Sequence, residues 1–219
     1  MKIEEIQSAK HILLIANSST FCNASALYTY ILTLHKKVSL QVSEPLDKNL
    51  SFLPWFDKAR KRSESNADLV IEVDDDVKAL FNLLQVYKIK INIKLATALY
   101  SSLLKRYRSF RSEDCDGTVF AIASELISLK ADYKTSHDFL QKRVSISSFR
   151  LKAIFFKEMI FVEEATHVKL FLSESILKAS GASLQEAIEI MNEILTIVHV
   201  EKVTLYKSDE NNKILKEID

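Results

Sequence analysis

His11-Ile12-Leu13-Leu14-Ile15-Ala16, followed by Asn17-Ser18-Ser19-Thr20-Phe21-Cys22-Asn23, is the stretch that decides the fold. The apolar run has the length of a buried strand, and Leu27, Ile31 and Leu34 continue at helical spacing after the loop. A strand, loop and helix in this order is where an α/β protein normally holds a phosphate or a metal. This loop contains no Asp, Glu, His, Lys, Arg or Gly. It therefore predicts either a non-enzyme or an enzyme that has lost its machinery.

The composition limits the class of protein. The 219 residues are 47% hydrophobic with a net charge of +1, which allows one large core or two small ones. This charge predicts neither nucleic-acid nor membrane-surface binding, and no apolar run approaches the roughly 18 residues of a membrane span. The acidic start, Met1 to Glu5, leads us to expect no signal peptide and a cytoplasmic protein in which Cys22 and Cys115 are unpaired. With only Gly117 and Gly181, a glycine-rich phosphate loop is excluded.

Strand and helix patterns alternate over the first part of the chain. They predict strands at 11–16, 38–42, 68–74 and 109–111 and helices at 2–9, 22–35, 76–87, 92–105 and 117–130, the last capped by Asp116. This alternation predicts an α/β domain over residues 1–134 with a mostly parallel sheet flanked by helices. Residues 135–158 form a predicted helical linker. Residues 159–219 form a predicted small α+β domain with strands at 160–164, 167–172, 201–206 and 213–218 and a helix at 184–198.

Several segments, in order, resemble one family. They are EPLDKNLSFLP (44–54), DLVIEVD (68–74), ATALY (96–100) with SFR (109–111), FAIASELI (120–127) and residues 167–219. Together they resemble the DHH phosphoesterases of the RecJ, oligoribonuclease (nanoRNase) and bis-phosphate phosphatase type. Residues 167–219 are similar to the first part of that family's DHH-associated domain. The resemblance implies the family's two-domain fold.

The resemblance also implies two divalent metals, usually manganese, which would activate a water and clamp a phosphate. The family's metal-ligand positions fall on Asn17, Phe21, Asn23, Asp74 and Arg106. Of these, only Asp74 is the carboxylate that the family uses as a metal ligand. Arg106 would oppose a divalent cation. The Asp-His-His signature and the Gly-Gly-His substrate loop are both absent from the sequence. We therefore expect no metal, no cofactor and no catalytic residue, with Asp74 a strand-end residue or the cap of helix 76–87.

Two other features carry alternatives. The cluster Lys105-Arg106-Tyr107-Arg108 with Arg111 interleaves basic and aromatic residues, as a weak anion or nucleotide site would, although solvated or partner-facing cations are the commoner outcome for such a cluster. The linker carries more apolar side chains than a spacer needs, which predicts either docking between the domains or a surface for a partner or a second copy. The five histidines have no zinc spacing.

The sequence thus predicts a degenerate, truncated, catalytically inactive DHH-like protein of a bacterial cytoplasm. Its expected role is that of a scaffold, adaptor or chaperone whose partner is another protein, and a homodimer is left open. Membrane insertion and nucleic acid are not expected. The alternative is a nucleotide or short-oligonucleotide binder, or a residual phosphoesterase, that uses Arg106, Arg108, Arg111 and Asp74.

Overall fold

The computed structural model describes residues 3–62, 66–209 and 212–219, without the side chain of Lys142. The chain divides into two units, one ending at Arg143 and one beginning at Val144. The segment 135–158, which the sequence assigns to a linker, is therefore shared between them. No helix in the described ranges is long and apolar enough to cross a membrane.

The first unit alternates strands and helices. Its elements are α1 (Ile3–Ser8), β1 (His11–Ala16), α2 (Phe21–Thr33), β2 (Lys37–Val42), β3 (Ala59–Arg60), β4 (Leu69–Glu72), α3 (Val77–Val86), α4 (Ile93–Arg106), α5 (Gly117–Ser128) and α6 (Tyr133–His137). Short 3₁₀ turns lie at Lys48–Leu50 and Phe56–Lys58, and a π-helical turn, Asp138–Lys142, follows α6.

The sheet of the first unit has the order β3-β2-β1-β4, and every pairing is parallel. Leu14 lies opposite Leu40 on one side and Ile71 on the other, and all three are buried. The mostly parallel sheet with flanking helices is confirmed. Strand β3 was not predicted, since it is only two residues long and lies in a basic run.

Helix α4 lies at the centre of the first core. Its residues from Leu95 to Leu104 are all buried, in agreement with a stretch, LATALYSSLL, that carries no charge. Side-chain caps start α4 itself and the helices α3, α5 and α6. Asp76, Asn92, Asp116 and Asp132 accept the backbone N–H of Ala79, Leu95, Val119 and Thr135, at 2.9, 3.0, 3.0 and 3.1 Å. The predicted cap Asp116 is confirmed, whereas the cap of α3 is Asp76 and not Asp74.

The predicted strand at 109–111 is wrong. Arg108, Ser109 and Phe110 have φ values of 44°, 60° and 65°, which belong to a left-handed turn and not to a strand. The turn is closed by the Ser109 N–H, which donates to the carbonyl oxygen of Leu104 at 2.7 Å. It directs the Phe110 ring onto Phe120, with ring centroids 5.4 Å apart.

The second unit is a small α+β domain. Its elements are α7 (Ile146–Glu158), β5 (Ile160–Val162), β6 (His167–Leu172), α8 (Glu174–Ser180), α9 (Leu184–Ile194), β7 (Lys202–Lys207) and β8 (Lys213–Ile218). Its sheet order is β5-β6-β7-β8, with two antiparallel hairpins joined by a parallel β6–β7 pair. The predicted hairpin and the second strand pair are confirmed.

Two helix predictions need correction around this unit. The helix expected at 184–198 ends at Ile194, and helicity over 135–158 is broken between the π-helical turn and the start of α7, whose cap is Ser145. Part of the apolar surplus of this segment serves the units' own packing: Leu151 and Phe155 lie in the second core, and Phe139 packs on Phe52 within the first unit.

Candidate functional site

The positions that the resemblance assigns to metal ligands come together at the carboxyl edge of the first sheet. Asn17 follows β1, Asp74 follows β4, and Arg106 ends α4. Two contacts tie these elements together. Asn23 Nδ2 donates to the backbone carbonyl oxygen of Asp74 (2.9 Å), and Lys105 Nζ donates to that of Ser18 (3.0 Å). The edge is therefore the candidate site.

Asn17 organises the loop after β1. Its Oδ1 accepts the backbone N–H groups of Ser19 (2.9 Å) and Thr20 (3.1 Å) and the Ser19 hydroxyl (2.6 Å). Thr20 Oγ1 accepts the Asn17 N–H in return (3.1 Å). Such an Asx turn uses the acceptor capacity of the amide inside the loop. Asn17 is thus a structural residue here.

Phe21 and Cys22 belong to the core. The sequence places Phe21 in the loop and Cys22 at the start of the helix predicted over 22–35, and α2 begins one residue earlier, at Phe21. The Phe21 ring is completely buried and packs edge-to-face on Phe56, with centroids 5.8 Å apart. Burial raises the pKa of the Cys22 thiol to about 12, so this thiol stays protonated and unreactive. Neither side chain is available to a ligand.

Asn23 borders a small cavity. The residue is 1% exposed, and within the described parts of the chain its Oδ1 has no hydrogen-bond partner. The cavity has a volume of about 190 Å³ and is lined by Asn23, Leu27, residues 71–74, Ala79, Leu80 and Leu83. The sequence did not predict this cavity, because its walls come from three elements, α2, α3 and β4. The one sequence signal for it is Asn23, a polar residue in a mostly apolar helix start.

The carboxylates after β4 are engaged by the protein itself. Asp74 Oδ1 accepts the backbone N–H of Asp76 (3.1 Å), Asp76 caps α3, and Asp75 Oδ2 lies 3.8 Å from Arg106 Nε. Within residues 3–62, 66–209 and 212–219, no group of three His, Cys, Asp or Glu side chains could hold a metal. With Phe21 in the core and Arg106 among the acids, these residues do not fit the two manganese ions that the resemblance implies.

Arg106 bridges two acidic residues. Its Nη1 lies 3.1 Å from Asp114 Oδ2, in addition to the contact with Asp75. A hydrogen bond from the Ser112 hydroxyl, together with Arg106, holds the pKa of Asp114 below its usual range. Arg108 and Arg111 follow in the exposed turn, where Arg111 Nε donates to the carbonyl oxygen of Arg108 at 3.4 Å. The guanidinium of Arg106 therefore forms ion pairs with two carboxylates of the protein itself.

Comparison with known proteins identifies the fold. A crystal structure of an exopolyphosphatase-related protein from Bacteroides fragilis superposes with a TM-score of 0.75, covering 97% of this chain and 79% of that chain. This chain therefore shares its fold with that protein. The sequence identity is only 13%, so the match concerns the fold alone. No family model matches the sequence, and no curated protein matches it.

Proposed function

We propose that this protein is a catalytically inactive relative of the DHH phosphoesterases that binds another protein through the retained fold, as a scaffold, adaptor or chaperone. The observation that carries the proposal is the Arg106 guanidinium between Asp75 and Asp114, at the position where the resemblance expects a metal-binding Asp. A fixed cation beside the remaining carboxylates repels a divalent ion.

The loop after β1 supports the same proposal. One ligand position is occupied by a buried phenylalanine and another by an asparagine whose oxygen accepts four hydrogen bonds, so neither position offers a charge that would attract a metal. At the same time the apolar scaffold is complete, since β1, α2 and α4 are buried along most of their length. A scaffold retained without its chemistry favours a role in binding.

The direct test is metal content after purification in manganese, combined with manganese-dependent hydrolysis. The substrates are short oligonucleotides, pAp and inorganic polyphosphate, the last because the structural relative is described as exopolyphosphatase-related. We expect no stoichiometric metal and no turnover. Turnover that Asp74→Ala abolishes, and that Asp57→Ala (an exposed carboxylate of the same unit) preserves, would contradict the proposal.

The binding half of the proposal has its own measurement. Tagged protein expressed at its native level and gently crosslinked should recover one specific protein in a defined ratio, whereas an unrelated protein with the same tag should not. Recovery of no protein at all would end the scaffold proposal and leave only the absence of catalysis.

Nucleotide binding by Arg106, Arg108 and Arg111 is the alternative, and the exposed turn that carries Arg108 and Arg111 is what favours it. A nucleotide that binds there raises the melting temperature at millimolar concentration, and Arg111→Ala removes the rise. We expect no such rise, because Arg106 is already neutralised by two carboxylates.

A further inference from the structure

Strand β4 lies at the edge of the first sheet. Among the residues that the structure describes, it pairs only with β1, and Val70 at its middle is 53% exposed. An edge strand presents backbone N–H and C=O groups that another strand can pair with. Proteins normally cover such an edge, and this edge carries no proline or lysine that would block pairing.

The cavity at Asn23 adjoins this edge. Its walls include Ile71 and Glu72 of β4 itself and Leu80 and Leu83 of α3. A volume of about 190 Å³ accommodates one aliphatic or aromatic side chain, and the buried Asn23 Oδ1 adds an unused acceptor at its wall. A strand that pairs with β4 would place alternate side chains towards this side of the sheet.

The charge around the edge defines the kind of strand that fits. Glu72 and Asp74 to Asp76 lie at the carboxyl end of β4, and Asp68 lies at the amino end. Antiparallel pairing of two copies of β4 would bring acidic residues together at both ends, which is destabilising. A second copy is therefore disfavoured, and a partner strand with a basic residue is favoured.

We propose that the open edge of β4 binds an extended segment of a partner protein, which carries an apolar side chain for the Asn23 cavity and a Lys or Arg for the exposed carboxylate of Glu72. This inference rests on the proposed function and names the surface through which it acts. Backbone hydrogen bonds to the edge supply affinity, and the cavity and Glu72 supply specificity.

The experiment selects ligands without knowing the partner. A library of random peptides of about twelve residues, enough to span the edge strand, is displayed against the full chain, and the enriched peptides are measured by fluorescence anisotropy. Two variants test the surface: Glu72→Lys reverses the exposed charge, and Leu83→Trp fills the cavity. Their matched controls are Glu201→Lys in the second unit and Val86→Trp on the exposed side of α3.

We expect enriched peptides with an apolar residue near a Lys or Arg, whose affinity falls at least about tenfold in both test variants and changes less than about twofold in both controls. Glu72 is exposed, so its variant should fold even if Leu83→Trp does not. Peptides that bind all four variants equally, or no enriched peptide at all, would overturn the assignment to this edge. Neither result changes the metal and hydrolysis measurements, so failure of this inference is distinct from failure of the proposed function.

Discussion

The two connections that meet at the carboxyl edge of the first sheet, β1 to α2 and β4 to α3, are built in opposite ways. The first is uncharged and ends inside the core, with Phe21 against Phe56. The second carries Asp74, Asp75 and Asp76, which bind a backbone amide, a guanidinium and a helix end. The first connection therefore presents no charged side chain at this edge, whereas the second presents three carboxylates that the protein itself engages.

The largest expected effect comes from introducing a carboxylate into the first connection. Phe21→Asp should cost more than about 4 kcal/mol of unfolding free energy, because it removes a fully buried ring and buries a charge without a partner. Urea denaturation followed by circular dichroism measures the loss. We expect the variant to be unfolded or nearly so and to gain no manganese binding.

The control for this change keeps the position apolar. Phe21→Leu should cost about 1.5 kcal/mol or less, and Phe120→Ala, which truncates a half-exposed ring of the same unit, about 1 kcal/mol. A stable Phe21→Asp protein would show that position 21 can be exposed to solvent. The first connection would then not differ from the second in being fixed within the core.

A second prediction compares the polar residues that hold each connection. Asn17→Ala should cost about 2 kcal/mol of unfolding free energy, because four hydrogen bonds lose their shared acceptor, whereas Asp76→Ala should cost about 1 kcal/mol, the usual value for a helix cap. Asp76→Asn keeps the capping oxygen and should change the unfolding free energy by less than about 0.5 kcal/mol. Equal losses for Asn17→Ala and Asp76→Ala would show that the first loop is not the more tightly bonded one.

Sequence reasoning reached the scaffold because local patterns determine it. The apolar run of β1, the charge-free stretch of α4 and the cap Asp116 each require only neighbouring residues, and all three are as predicted. Strand β3 escaped because two residues carry no periodicity. The strand expected at 109–111 was wrong, because Phe110 stacks on Phe120 and the chain must turn left-handed to reach it.

Of the candidate site, the sequence predicts only which charged residues are missing. The missing charges of the loop after β1 are visible in the sequence, but the burial of Phe21 depends on Phe56, which lies beyond β2. The cavity depends on where Leu27, Leu80 and Leu83 meet, and the commitment of Arg106 depends on Asp114. Contacts between residues distant in the chain decide these features, and no local pattern reports them.

The second connection can be tested by changing its counter-ion. Arg106→Asp removes two ion pairs whose side chains are 40–60% exposed, so solvent screening limits the loss to about 1 kcal/mol. The new carboxylate joins Asp75 and Asp114, and we expect millimolar manganese to raise the melting temperature of this variant but not of the wild type. Arg111→Asp, outside the acidic pair, should show no manganese effect. A rise in the melting temperature of the wild type with manganese would contradict the view that Arg106 neutralises Asp75 and Asp114.

The smallest effect is expected at the opposite end of β4, where a single carboxylate holds two amides. Asp68 Oδ2 accepts the N–H groups of His11 (2.9 Å) and Lys10 (2.8 Å), and these bonds lower the pKa of Asp68. Because the folded-state pKa lies below the unfolded one, the stabilisation is present above the unfolded value of about 3.9 and disappears as the pH falls through the folded value.

Asp68→Asn should therefore be less stable than the wild type near neutral pH, and the difference should shrink on acidification, when Asp68 is protonated in both states. Urea midpoints measured from about pH 6 to about pH 2 follow this convergence. A difference in stability that stays constant at every pH would show that the shape of Asp68, and not its charge, stabilises the fold.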